Sequence, residues 1–200
     1  MAQSSPMTNK DIVVTSTVSA LPLQISCLYR VEALAKAWPA THVISLLDPD
    51  ISEQAIPKLA AHVEAHHIIR IFDQERAEAT HHFDAVISDV LNTLQAILEG
   101  PANRLVIHCH AGVSRSTAIG YGALALMHGQ GREADAFNEL LKITCKPWPN
   151  RRIVEAIDTA LNRGGTMLAP LDAYREANPY RLDSYRRLNR KRGIVSKVQR

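Results

Sequence analysis

The chain has 200 residues, of which 46% are apolar and 5% aromatic; this suits one α/β domain with a sizeable core and disfavours a β-sandwich. Three cysteines, Cys27, Cys109 and Cys145, are too few and odd in number for a disulfide framework and fit a reducing, cytoplasmic setting. The net charge of +3 is unevenly spread: residues 1–165 carry 14 Lys or Arg against 17 Asp or Glu, and residues 166–200 carry 9 against 3. A slightly acidic main part argues against nucleic-acid binding. No apolar leader opens MAQSSPMTNKD, and no run is long enough for a membrane span.

In chain order, residues 1–10 are polar and expected to fray. The β-branched run 11–18, DIVVTSTV, predicts a strand. Residues 30–37 predict a short helix closed by Pro39, and 42–47, HVISLL, a second strand ending in the turn Asp48-Pro49-Asp50. A helix is expected over 52–66 and a third strand over Ile68–Phe72, ending at Asp73. Residues 80–98 give the clearest amphipathic helix, with Phe83, Val86, Ile87, Val90, Leu91, Leu94 and Ile97 at three- and four-residue steps. After Gly100-Pro101, Leu105–His108 predicts a short buried strand. Helices are expected over about 116–128, 132–144 and 151–162. The alternation predicts an α/β fold with a mostly parallel central sheet flanked by helices. Residues 11–165 form the expected main domain, and 166–200 a basic C-terminal extension. Leu171, Tyr174, Tyr180, Leu182, Tyr185 and Leu188 would pack that extension over 170–189, with a mobile end beyond. Arg186, Arg187, Arg190, Lys191 and Arg192 could instead form a patch for an acidic partner.

The chemistry concentrates in His108-Cys109-His110-Ala111-Gly112-Val113-Ser114-Arg115-Ser116. A cysteine follows a buried strand, and an arginine six positions later opens a helix. A loop of that length can curl round one phosphate or sulfate, with backbone N–H groups and the helix N-terminus directed at the anion. Gly112 permits the tight path, and the Arg115 guanidinium can grip two oxygens. The same positive field favours a Cys109 thiolate, the attacking species in covalent phosphoryl transfer.

HCxxGxxRS resembles the signature of the protein tyrosine phosphatase superfamily, and the surrounding pattern, over about residues 12–162, resembles its dual-specificity branch. The resemblance implies a parallel-centred fold and a two-step hydrolysis through a phosphocysteine, with no cofactor and no metal. It implies a general acid on a loop after a strand, some thirty-odd residues before the cysteine. Asp73, 36 positions before Cys109, fits; Glu75 and Asp84 compete, and Asp84 is expected on a helix facing solvent. Ser116 resembles the hydroxyl that stabilises the departing thiolate, His108 the histidine that orders the loop, and Asn150 an asparagine that braces it. The loop has no lysine, which weighs against phosphoinositides, and no Trp-Pro-Asp segment precedes it. Phosphoproteins modified on Tyr, and also Ser or Thr, lead as substrates; inositol phosphates or nucleotides, or a non-catalytic phosphate-binding module, are the alternatives.

Blander readings compete elsewhere. Post-strand aspartates such as Asp73 often only cap turns. His62 and His66 have helical i, i+4 spacing, but no cysteine or carboxylate completes a metal set, so a solvated helix face is expected. Cys27 and Cys145 are expected to be small core residues, since nothing in the sequence places them near Cys109.

Overall fold

The computed structural model describes residues 22–76, 81–100 and 103–193. Four strands, β1 (Leu23–Cys27), β2 (His42–Leu47), β3 (Ala65–Arg70) and β4 (Leu105–Cys109), form one sheet of order β1-β4-β2-β3. Every pairing is parallel. The described residues also form seven α-helices: α1 (Val31–Ala37), α2 (His81–Glu99), α3 (Arg115–His128), α4 (Glu133–Ile143), α5 (Arg151–Ala160), α6 (Leu168–Ala177) and α7 (Arg181–Lys191).

Alternation along the strands divides the core in two, because successive side chains point to opposite faces. Val43 and Val106 meet Val31 and Ala35 of α1 on one face. Ile44, Leu46, Leu105 and Ile107 enter the larger core on the other, with α2 through α6. In that core α2 buries Phe83, Ile87, Val90, Leu91, Leu94 and Ile97, the stripe its periodicity predicts. Full burial of each such side chain stabilises by about 1.5–3 kcal/mol, an upper figure against an extended chain. Helix α3 is buried along most of its length. Its small residues let neighbours close in: a Cβ on Gly120 would stand 2.7 Å from Ile25 Cδ1.

Three expectations need correction, and one cannot be compared. The helix expected over 52–66 is absent; only a 3-10 turn forms, at Glu53–Ala55. Pro57 lacks the N–H an α-helix needs and pushes Ile56 out of helical dihedrals, to ψ 129°. The chain crosses instead as a loop, tied by Lys58 N–H to Glu32 Oε1 at 2.7 Å. The third strand starts three residues early, at Ala65, because its register against β2 runs from His42–Ala65 to Leu47–Arg70. Ile71 to Asp73 therefore lie beyond its end. Strand β1 was not anticipated, since Gln24 and Ser26 interrupt its five residues; the strand expected over 11–18 falls outside the described residues. In the C-terminal part Leu171 is buried and Tyr174 packs edge-on to Phe137, but Tyr180 is exposed.

With all four strands parallel, their C-terminal ends share one edge. In open α/β sheets ligands bind along that edge. Cys27, Asp48, Asp73 and Cys109 all leave the sheet there.

Candidate active site

The loop 108–116 starts at the end of β4 and closes at the first turn of α3, and its backbone is turned by partners outside it. Leu28 N–H donates to Cys109 O (2.8 Å) and, less closely, to His110 O (3.2 Å). Lys146 Nζ donates to Ala111 O (3.1 Å). Trp148 N–H binds Val113 O (3.0 Å), and Asn150 N–H binds Ser114 O (3.2 Å). The C=O and N–H of a trans peptide point in opposite directions. Carbonyls drawn outward therefore leave the next residues' N–H groups facing the centre of the loop, an anion-binding nest. Gly112 makes the turn at φ +66°, and a Cβ there would lie 2.6 Å from Ser26 O. Both the conformation and the closeness of β1 require glycine.

Cys109 is 2% exposed, and its Sγ lies 3.2 Å from Ser116 Oγ. Arg115 is 3% exposed and is held before any ligand arrives. Its Nη1 donates to Asp48 Oδ1 and to Ile71 O, each at 2.6 Å, and its Nη2 lies 3.3 Å from His110 Nδ1. Its Nε is buried without a partner. Such an orphaned donor is costly unless something accepts from it, and a phosphate oxygen in the loop suits it.

His108 lies on the α1 face, where Ser45 Oγ bonds its Nε2 and, at 2.7 Å, His66 Nε2. Burial pushes the His108 pKa down from 6.5 to about 4, opposed by its bond to Cys109 O and helped by the nearness of His66, His110 and the Arg115 guanidinium, which disfavour a second charge there. A neutral imidazole backs the loop. His66 is lowered too, by burial first and then by His67.

Of the three candidate acids, Asp73 is held at the loop. Its Oδ1 accepts from Ser114 Oγ (2.6 Å) and Asn150 Nδ2 (2.8 Å). Asn150, fully buried, also caps α5 through Ile153 N–H (3.1 Å), so one side chain joins the Asp73 loop to the helix behind it. Glu75 is committed elsewhere, to Arg151 N–H (3.1 Å) and the Arg175 guanidinium. Asp84 lies exposed in the first turn of α2.

The structure adds two residues that sequence reasoning missed. Asp48, read as a turn residue, pairs with Arg115 and lies 3.4 Å from His110 Nδ1. A carboxylate at the end of a buried parallel strand was the available signal. Lys146, in a loop far from the motif, supports Ala111. Cys27 is buried as expected and stands opposite Cys109 in the β1–β4 register, whereas Cys145 is exposed rather than part of the core. The helical pairing of His62 with His66 is lost with the helix: His62 Nε2 meets Ala35 O at 2.9 Å, and His66 sits in β3.

Neither protein-family profiles nor curated protein sequences match this chain. Solved structures do. Human tyrosine phosphatase-like serine/threonine/tyrosine-interacting protein superposes with a TM-score of 0.55 at 16% identity, over 69% of this chain and 89% of that one. Human DUSP28 gives 0.53 at 16% identity, over 70% and 88%. The PTP-2 phosphatase of Cydia pomonella gives 0.53 at 19% identity, over 69% and 84%. This chain has the fold of the cysteine-based protein tyrosine phosphatases, in the form taken by their dual-specificity branch.

Proposed function

We propose that the chain is a phosphate monoester hydrolase with Cys109 as nucleophile, acting on phosphorylated proteins and foremost on phosphotyrosine. One observation carries the reading: a single inward-facing N–H loop has Cys109 at its start, the orphaned Arg115 Nε at its end and Asp73 held against its side.

In the first step the Cys109 thiolate attacks phosphorus, and an S–P bond forms as the P–O bond to the leaving group breaks. Asp73, as the carboxylic acid, gives that oxygen its proton. The loop N–H groups and Arg115 hold the three equatorial oxygens, where charge concentrates in the transition state. In the second step water attacks phosphorus while the Asp73 carboxylate takes its proton. The S–P bond breaks, and the departing thiolate accepts a hydrogen bond from Ser116 Oγ. No step calls for a metal, because thiolate, guanidinium and loop supply nucleophile and positive charge.

The surroundings favour an aromatic ester. Phe72, 46% exposed, immediately precedes Asp73, and Tyr29, 86% exposed, follows the Leu28 N–H that binds the loop. Aromatic surfaces beside a phosphate nest suit a phenyl ring.

The test is hydrolysis of p-nitrophenyl phosphate in reductant and chelator by wild type and Cys109→Ser. Wild-type turnover that survives chelation and disappears in the variant, with phosphate still bound, is the expected result. Substantial residual turnover would remove Cys109 from its role, and inactivity of both proteins would leave a phosphate-binding module.

A further inference from the structure

Helix α7 is tied to the phosphate loop indirectly, through Lys146, and carries most of its cations on exposed positions. Asn189 is 4% exposed, and its Oδ1 accepts from Lys146 Nζ (3.2 Å), the same ammonium that supports Ala111 O (3.1 Å). One lysine thus joins α7 to the loop. Tyr185 Oη donates to Cys145 O (3.4 Å) from the same side of the helix. On the other sides of the helix Arg186, Arg187, Arg190 and Lys191 are exposed, as is Arg192 just past its end.

These cations are not explained by the helix itself. Arg186 with Arg190, and Arg187 with Lys191, are like-charged i, i+4 pairs, which destabilise a helix. The macrodipole rewards cations only in the last turn, Arg190 and Lys191. The ion pairs among the described residues include one carboxylate partner for this group, Asp183, 3.4 Å from Arg186. An external polyanion would relieve the repulsion.

We infer that α7 forms a second anion subsite, which recognises acidic side chains flanking the phosphorylated residue of a protein substrate. This rests on the phosphatase reading and names the substrate class within it. One lysine separates α7 from the loop, and an extended peptide advances about 3.3 Å per residue, so acidic side chains near the phosphorylated residue are the partners assigned to Arg186 and Arg190. Such contacts are exposed and individually weak, and they gain by acting together.

The experiment compares two phosphotyrosyl peptides, one with Asp and Glu around the phosphotyrosine and one with Ser and Ala instead. Binding is read by fluorescence anisotropy on full-length Cys109→Ser protein, at low and high salt, with and without Arg186→Glu/Arg190→Glu; kcat/KM follows on the Cys109 forms. The expected result is a roughly five- to ten-fold preference for the acidic peptide that high salt shrinks and charge reversal removes. Both arginines are exposed, and an unchanged circular dichroism spectrum shows that the variant is folded. Equal binding of the two peptides, or a preference that survives charge reversal, overturns the inference. So does binding to vesicles of phosphatidylcholine and phosphatidylserine that charge reversal abolishes while the peptide ratio stays flat; that result would make α7 a membrane-facing patch. If wild type hydrolyses neither peptide nor p-nitrophenyl phosphate, the phosphatase reading fails, while the anisotropy ratio still decides the subsite.

Discussion

Acid should weaken this fold through one buried histidine. His108 has no exposed surface, and its pKa falls from 6.5 to about 4, chiefly because burial disfavours the charged ring. An unfolded chain takes up the proton near pH 6.5, whereas the folded chain resists it until about pH 4. The unfolded state therefore binds more protons across that window, and stability falls as the pH drops through it. The contribution is whole above pH 6.5 and lost on approach to pH 4. At pH 5 the two pKa values give a loss of about 2 kcal/mol relative to pH 7. The assay is urea unfolding of wild type and His108→Gln at both pH values. The Gln amide extends as far as Nε2, so it can still accept from Ser45, but it cannot titrate. Other acid-labile groups, His66 included, remain in both proteins and largely cancel in the comparison. Wild type should lose about 2 kcal/mol more than the variant on going from pH 7 to pH 5. Equal losses would show that His108 is protonated in the folded protein or is exposed to water, and the neutral network with Ser45 and His66 would be wrong.

Two further predictions concern the loop. Gly112→Ala should cost about 1–3 kcal/mol in stability from its left-handed backbone, and kcat should fall by about 100-fold as the new methyl, 2.6 Å from Ser26 O, displaces the N–H groups; near-normal kinetics on p-nitrophenyl phosphate would show that the loop does not need this path. Asp73→Asn keeps an oxygen acceptor for Ser114 and Asn150 but no acidic proton, so kcat should fall by about 100-fold or more for alkyl phosphates and much less for p-nitrophenyl phosphate, whose leaving group needs little protonation. Equal losses for the two would make Asp73 a brace for the loop rather than a proton donor.

Legibility in the sequence followed the range of the interactions. Helix α2 was readable because its buried stripe is a local 3.6-residue pattern, and the phosphate loop because strand, glycine, arginine and helix lie within a dozen residues. Asp48 was not: its role exists only because the sheet order places β2 beside β4, across 67 residues of sequence from Arg115. Cys27 reaches Cys109 through pairing of strands 82 positions apart, one of them too short and polar to announce itself. The error over 52–66 has a different origin. Apolar spacing there suits a helix, but Pro57 interrupts it, and pairing with β2 recruits the last two residues into β3. Tyr180 shows the converse, an aromatic in a plausible packing pattern that tertiary structure leaves in water.

The acid loop owes its position to residues outside the phosphatase-like motif. Asp73 needs a fixed distance from the phosphate loop, yet it lies beyond the end of β3, where no sheet bonds hold it. Two sets of contacts replace them. Ser114 and Asn150 hold Asp73 itself, and Glu75, two residues later, is clamped by Arg175 of α6. Arg175 also donates to Pro149 O at 2.6 Å, next to Asn150, and Arg151 pairs with Asp172 of α6 at 3.0 Å. The first turn of α5 is thereby fastened to the same helix that fastens the acid loop. Catalytic acids contribute only when they are held within hydrogen-bond reach of the leaving oxygen. In the proposed mechanism helix α6 thus acts through Glu75 and Asn150, and the basic C-terminal part of the chain is joined to the candidate site at both of its loops, through α6 at Asp73 and through α7 at Ala111.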